Sequence, residues 1–298
     1  MSEVLRIRFH GRGGQGMKTA SRILGSAAFD AGFVVQDSPT YGAERRGAPL
    51  AAFVRIGRES ILERGAIERP HLVVVSDDTL LDDPGAAPLA GCREDTTVLV
   101  NSTRELNIPP RLVHADFTAM VLERTGRVES LSTALGAAAS RLIGLDLAEC
   151  LAGVEHELAQ ASLDAGQRAL NLELAREVYE LGSSWAPVPW PEDEAVETAT
   201  PAVLVELALD PARRATPSVY ASANSPARRT GSWRQFRPVL EPEKCNRCWL
   251  CFVWCPEAAI ALDENEFPQV SYDVCKGCLL CAHECPTQAF RVEREVRA

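Results

Sequence analysis

Eight of the chain's ten cysteines fall between Cys245 and Cys285, in two runs that repeat one another: CNRCWLCFVWCP, from Cys245 to Pro256, and CKGCLLCAHECP, from Cys275 to Pro286. Each run reads CxxCxxCxxxCP. In this spacing three thiolates wrap one iron–sulfur cubane, and the fourth reaches across to a neighbouring one. The pattern predicts one [4Fe-4S] cluster on Cys245, Cys248, Cys251 and Cys285, and a second on Cys255, Cys275, Cys278 and Cys281. Structural zinc takes four ligands, commonly as two CxxC pairs, and would leave the third and fourth cysteine of each run unexplained. Disulfides are not expected from such clusters in a reducing compartment. The bulky residues Trp249, Phe252, Trp254, Leu279 and Leu280 stand beside the thiolates and are expected to keep water away from them. Ordinary packing of so small a domain predicts the same burial. Cys92 and Cys150 lie in no motif and read as inert thiols.

A second group surrounds FHGRGGQGMKT, residues 9 to 19. Gly11, Gly13 and Gly16 satisfy GxGxxG between a strand and a helix, and Asp37 stands where a dinucleotide's ribose would want an acid. An NAD-linked iron–sulfur electron carrier is therefore one reading. Against it, SPTYGAERRGAPLAAFVRI runs through a loop straight into another strand, with no crossover helix. A glycine loop opening a helix can offer backbone N–H groups to other anions, or it can simply permit a tight turn. Arg45 and Arg46, beside Glu44, suit a phosphorylated ligand because guanidinium pairs bidentately with phosphate; an ion-paired loop is the plainer alternative. His10, Asp77 and Asp78 read as structural strand-end residues.

These groups must be held by two different kinds of chain. VLRIRF (4 to 9) places Leu5, Ile7 and Phe9 on one face of a strand, with Arg6 and Arg8 on a face expected to be wet. Met17, Ala20, Ile23, Leu24, Ala27 and Ala28 follow at helical spacing, closed by Gly32. FVVQD (33 to 37), LAAFVRI (50 to 56), HLVVVS (71 to 76) and TTVLVN (96 to 101) read as strands covered on both faces. Helices are expected over 130–144, 146–159 and 162–182, with Asp146 and Glu149 spaced as a capping box. The fold class is α/β over residues 1–184, a three-layer sheet domain with helices on both faces. Residues 185–230 form a Pro/Ala-rich linker, expected to lie along a partner because Trp185, Trp190 and Tyr220 are costly to leave in water. Residues 231–298 form a small α+β two-cluster domain, with AIAL and QVSY flanking the turn of a hairpin.

A net charge of -10 and a pI near 5.1 argue against a nucleic-acid partner. No stretch approaches the roughly 18 apolar residues that span a bilayer, and MSEVLRIRF carries no secretory pattern. A cytoplasmic location is expected.

GRGGQGMKTASRIL followed by PTYGAERRGAPLAAFVRI resembles the gamma subunit of the 2-oxoacid:ferredoxin oxidoreductases, the pyruvate synthase group. TGSWRQFRPVLEPEKC, ahead of the first cysteine run, resembles the opening of that family's delta subunit, a bacterial-type two-cluster ferredoxin. The resemblance covers residue 4 to about 184 and about 229 to 292, and implies that gamma and delta, often separate chains, are fused here. It implies oxidative decarboxylation of a 2-oxoacid to acyl-CoA and CO2, with electrons leaving through the clusters to an external ferredoxin or flavodoxin. Thiamine diphosphate and Mg2+ would sit mainly on partner alpha and beta subunits, since no GDG-type motif stands in this chain. No catalytic residue is therefore assigned to it. By the same resemblance Gly11, Gly13, Gly14, Gln15 and Gly16, with Tyr41, Glu44, Arg45, Arg46 and Gly47, are candidates to face the active site and coenzyme A.

Overall fold

A six-stranded mixed sheet organises the first of two units, in the order β2-β3-β1-β4-β5-β6. The computed structural model describes residues 3–39, 47–83, 85–108, 111–192 and 229–295. The strands are β1 (Val4–Arg12), β2 (Val34–Pro39), β3 (Pro49–Gly57), β4 (Leu72–Val75), β5 (Thr97–Asn101) and β6 (Arg111–Ala115). β3 runs antiparallel to both β1 and β2, whereas β1, β4, β5 and β6 are mutually parallel neighbours. The Val-rich runs go to the centre, and their alternate residues serve two separate cores. Leu72 and Val74 join one; Val73 and Val75 join the other.

The first core is helical. α1 (Met17–Asp30), α2 (Phe117–Thr125), α3 (Leu131–Leu142), α4 (Leu147–Ala159) and α5 (Ala165–Leu181) contribute buried apolar residues to it, together with Leu5, Ile7 and Phe9. Helix starts follow their caps: Asp116, Asp146 and Asp164 each accept from the backbone at the N-terminus, and the Asp146–Glu149 capping box is formed. α1 packs closely on α3 and α4 because Gly136 and Gly153 lack side chains. A Cβ on Gly153 would stand 2.6 Å from the Ile23 carbonyl oxygen.

The other face departs from the expectation of helices on both sides. Among the described residues its core, built on Val73, Val75, Leu80, Val98 and Val100, is covered by irregular chain and one 3-10 turn, Asp78–Leu80. Nor are Arg6 and Arg8 wet; both are buried beneath that covering. The two corrections share a cause. Arg6 grips Glu63 with Nε at 2.9 Å and Nη2 at 2.6 Å, and Arg55 Nε reaches the same carboxylate at 3.3 Å. Arg8 donates to the carbonyls of Ile67, Pro88 and Ala90. Buried guanidinium needs free carbonyls, which irregular backbone offers and the interior of a helix, its carbonyls already bonded, does not.

Residues 185–192, expected to begin the linker, pack on this unit instead. Trp190 stacks on Phe33 with centroids 5.1 Å apart, Trp185 meets Phe117 edge-on, and the N–H of buried Val188 donates to Leu142 at 2.8 Å. Residues 193–228, Tyr220 among them, lie outside the described residues.

In the second unit β7 (Phe236–Leu240) pairs antiparallel with β10 (Phe290–Arg294), and β8 (Ile260–Leu262) with β9 (Pro268–Val270). The second pair is the hairpin expected around residues 259–272. α6 (Leu250–Val253) and α7 (Leu280–His283) are single turns. The buried core is Cys251, Ile260 and Phe290, backed by partly buried residues that include Cys255, Cys281 and Cys285. A core this small needs a staple to be stable. Among the described residues no helix of the chain is long and apolar enough to cross a membrane.

Candidate functional site

The two cysteine runs adopt one backbone twice. Left-handed residues recur at matching places: Arg247 and Gly277, Trp249 and Leu279, Ala258 and Gln288, all with φ between 49° and 68°. Such conformations are uncommon for residues with a side chain, so their repetition marks a constraint common to both runs. Their effect is to aim amides at sulfur. Arg247 N–H donates to Cys245 Sγ at 3.4 Å, Ala259 N–H to Cys255 Sγ at 3.2 Å, and Ala289 N–H to Cys285 Sγ at 3.3 Å.

Cys255, Cys275, Cys278 and Cys281 line one pocket, completed by apolar groups such as Ile260 and Leu279. The charges felt by Cys251 are those of Cys245, Cys248 and Cys285; Cys275 feels Cys255 and Cys278. Cys281 feels Cys275 and Cys278, and across the boundary Cys251. The fold thus gathers two adjacent quartets, each with one cysteine borrowed from the other run. Burial pushes the Cys251 and Cys275 thiols up, and Cys281 up to about 12. Burial also works against ionisation of Cys285, yet the N–H of Ala289 and the hydroxyl and amide of Thr287 outweigh it and hold that thiol below its ordinary range. Four thiols gathered around one pocket suit a cationic group that would bind their ionised forms. Among the described residues no three Cys, His, Asp or Glu side chains converge as a single metal ion would require. Sulfur spread around a pocket, with amides aimed at it, fits a multi-iron group.

One expectation fails here. Trp249, Phe252 and Trp254 are 39%, 45% and 47% exposed, so they do not shield the thiolates in this chain. α6 is one turn long and turns Cys251 inward, which leaves its flanking side chains outside. Leu279 and Leu280 do line the cavity.

At the other candidate site Gly11 belongs to β1, where a Cβ would run into the Met17 side chain and stand 2.8 Å from Ser76 Oγ. Gly14 (φ 99°) and Gly16 (φ 72°) take left-handed turns, and Gly16 caps α1 without a side chain. Gly13 N–H donates to Ala48 and Gly47 N–H to Gly13, so the chain just past residue 46 is bonded to the turn. Gln15 faces inward: buried, its Oε1 accepts from Arg12 N–H at 2.6 Å and Ser76 Oγ at 2.5 Å, while Nε2 donates to Asp77 at 3.4 Å. Its side chain braces the turn and is not presented as a wall. Tyr41, Glu44, Arg45 and Arg46 lie outside the described residues.

Beneath the turn is a network that sequence reading missed: buried Arg12 donates to Thr79 Oγ1 at 2.8 Å and pairs with Asp77 and Asp83. The alternation Arg6, Arg8, Arg12 was its only signal. His10 is 7% exposed with Nε2 unbonded, and burial, reinforced by Arg8, holds its pKa down at about 3. It is a neutral structural residue. Asp77 caps the 3-10 turn, and Asp78 accepts from Ser102 and Arg104. Burial raises the pKa of Cys92, and that of Cys150 to about 12, as expected of inert thiols.

The dinucleotide reading meets a topological obstacle. β3 lies between β1 and β2 and opposes both, so the parallel strands β1 and β2, joined by α1, are not neighbours and Asp37 is held one strand away from β1. Asp37 instead accepts from Ser21 Oγ at 2.8 Å.

The family model described as "Pyruvate ferredoxin/flavodoxin oxidoreductase" matches residues 6–181, and a "4Fe-4S binding domain" model matches 268–291. The chain is 37% identical over 185 residues to the pyruvate/ketoisovalerate oxidoreductases common subunit gamma of Pyrococcus abyssi, covering 59% of this chain and 96% of that one. It is 49% identical over 77 residues to pyruvate synthase subunit PorD of Methanocaldococcus jannaschii, covering 26% of this chain and 90% of the relative. To pyruvate synthase subunit PorC of Thermotoga maritima it is 52% identical over 99 residues, or 33% of this chain; the match spans half the length of that subunit.

Proposed function

Because the chain belongs to the pyruvate ferredoxin/flavodoxin oxidoreductase family, we propose that it is the fused gamma and delta subunit of a 2-oxoacid:ferredoxin oxidoreductase, joining an active-site wall to an electron relay. The observation that carries this reading is the joining in one polypeptide of a gamma-type α/β unit and two thiol quartets that exchange a ligand. Cys245, Cys248, Cys251 and Cys285 would hold one [4Fe-4S] cluster, and Cys255, Cys275, Cys278 and Cys281 the other. Such clusters, when bound, take up and release single electrons.

What the chain's own residues do is positional. Left-handed turns bring the thiols into place, the amides of Arg247, Ala259 and Ala289 stabilise negative charge on sulfur, and the ligand exchange keeps the two sets adjacent. At the glycine turn, Gln15 and Ser76 hold the backbone of Gly13, Gly14 and Gly16 in place beside the start of α1. We place coenzyme A against this turn and against Glu44, Arg45 and Arg46, with thiamine diphosphate and Mg2+ on alpha and beta subunits and a ferredoxin or flavodoxin as acceptor. Relatives named for pyruvate and ketoisovalerate support 2-oxoacids as the substrate class. The domain limits that go with this reading are 1–192, since residues 185–192 pack on the first unit, and 231–298, and its setting is the cytoplasm.

The test is turnover of the co-purified complex against a panel of 2-oxoacids with coenzyme A, read by reduction of a low-potential dye and by electron paramagnetic resonance. Acid-dependent cubane signals are expected. Reduction by NADH alone, without a 2-oxoacid, overturns the proposal.

A further inference from the structure

Among the described residues of the second unit, one arginine or lysine is buried: Arg234, 6% exposed, just ahead of β7. Its Nη1 donates to the carbonyl of Cys275 at 2.8 Å and to that of Tyr272, whose ring lies 5.1 Å from the guanidinium. Its Nε and Nη2 take the two oxygens of Glu295 at 2.9 and 3.0 Å. Gly277 is cut to fit, since a Cβ there would stand 2.6 Å from Arg234 Cγ. Nearby, Lys276 pairs with Glu257 at 2.7 Å, and both line the cavity of the second quartet.

The repeat supplies an internal control. At the matching places of the first run stand Asn246 for Lys276 and Arg247 for Gly277, and Arg247 is exposed. Lys244 is exposed as well and pairs with Glu241. Two ion pairs, Arg234–Glu295 and Lys276–Glu257, therefore stand beside one of two otherwise similar sulfur sets, with the guanidinium of the first on the Cys275 carbonyl. Anchoring β10 to β7 does not require this, because Arg237 and Glu293 already pair across those strands at 3.0 Å. A guanidinium excluded from water beside a ligand's backbone stabilises added negative charge there; its carboxylate partner, on the far side, offsets part of that effect.

Resting on the ligand sets proposed above, we infer that Arg234 and Glu295 set a potential difference, making the cluster on Cys255, Cys275, Cys278 and Cys281 the easier of the two to reduce. An electron from 2-oxoacid oxidation then comes to rest on that cluster before it leaves for the acceptor.

The experiment is a potentiometric titration of the full-length holoprotein with dithionite, followed by electron paramagnetic resonance. Glu295→Gln keeps the shape and removes the offsetting charge. It should raise the reduced-to-oxidised ratio of one cluster at fixed potential by about tenfold, which is about 59 mV for one electron. Arg234→Gln should lower that ratio by a similar factor, and the second cluster should stay where it was in both variants. Opposite shifts are a result that a merely structural ion pair would not produce. Because Arg234→Gln risks misfolding, Lys276→Met, which removes a less buried cation of the same cavity, gives an independent downward shift. A first cubane signal that does not shift up in Glu295→Gln and down in Arg234→Gln, or two signals that shift together, overturns the inference and leaves the ligand sets standing. A wild-type preparation with iron and signals for fewer than two cubanes overturns the ligand sets, and this inference with them.

Discussion

His10 should make the protein acid-sensitive in a way that one substitution removes. The imidazole sits in β1 one residue ahead of Gly11, 7% exposed, with Nε2 unbonded and Arg8 adding its charge. Its pKa of about 3, against 6.5 for an unburied histidine, means that the folded protein refuses a proton that the unfolded chain accepts. The contribution to stability is therefore complete above pH 6.5 and is lost as pH falls through the interval down to about 3. At about 1.4 kcal/mol per pH unit, the loss attributable to His10 is about 2 kcal/mol by pH 5 and approaches about 5 kcal/mol near pH 3. Denaturant titrations of the full chain at pH 7.5 and pH 5, for wild type and His10→Gln, measure it. Acid lability of bound iron is common to both proteins and cancels in the comparison. Wild type should lose about 2 kcal/mol more than the variant between the two pH values. The reasoning is refuted if both lose the same amount, or if NMR shows His10 titrating near pH 6.5. The outcome bears on function, because an imidazole that stays neutral down to about pH 3 is no proton carrier at the glycine turn under physiological conditions.

Glu63→Gln should destabilise the protein by about 3–5 kcal/mol in urea denaturation, since it leaves Arg6 and Arg55 buried without their shared counter-charge. Gly153→Ala forces a methyl to 2.6 Å from the Ile23 carbonyl; about 1–3 kcal/mol should be lost, seen as a lower thermal midpoint. Asp146→Ala removes the capping box of α4 and should cost about 1 kcal/mol in the same assay, with no change in iron content. Chelation of iron under reducing conditions should expose residues 229–295 to limited proteolysis and leave 3–192 resistant, because only the second unit has a core built among cysteines.

The cysteine runs were legible because their CxxCxxC spacing lies on a single stretch of chain, so that Cys245, Cys248 and Cys251 announce themselves without tertiary information. The same local logic made the helices legible. Asp146 with Glu149 signals a helix start within four residues, and Ala20, Ile23, Leu24 and Ala27 signal its buried face. The exposure of Trp249, Phe252 and Trp254 was not legible, since residue type does not say which way a single-turn helix faces.

Long-range pairing decided the rest. GxGxxG has one local pattern whichever strand becomes the neighbour of β1, and the insertion of β3 between β1 and β2, which argues against a dinucleotide there, is visible only in the sheet order. Arg6, Arg8 and Arg12 alternate as a solvent-facing set would; they are buried because Glu63, Asp77, Asp83 and the carbonyls of Ile67, Pro88 and Ala90 arrive from 57 to 82 residues away. Burial of charge is a property of the pair, and half of each pair was elsewhere in the chain. Motif spacing thus marked two equivalent cysteine runs, whereas tertiary structure alone distinguished them by placing Arg234 beside Cys275.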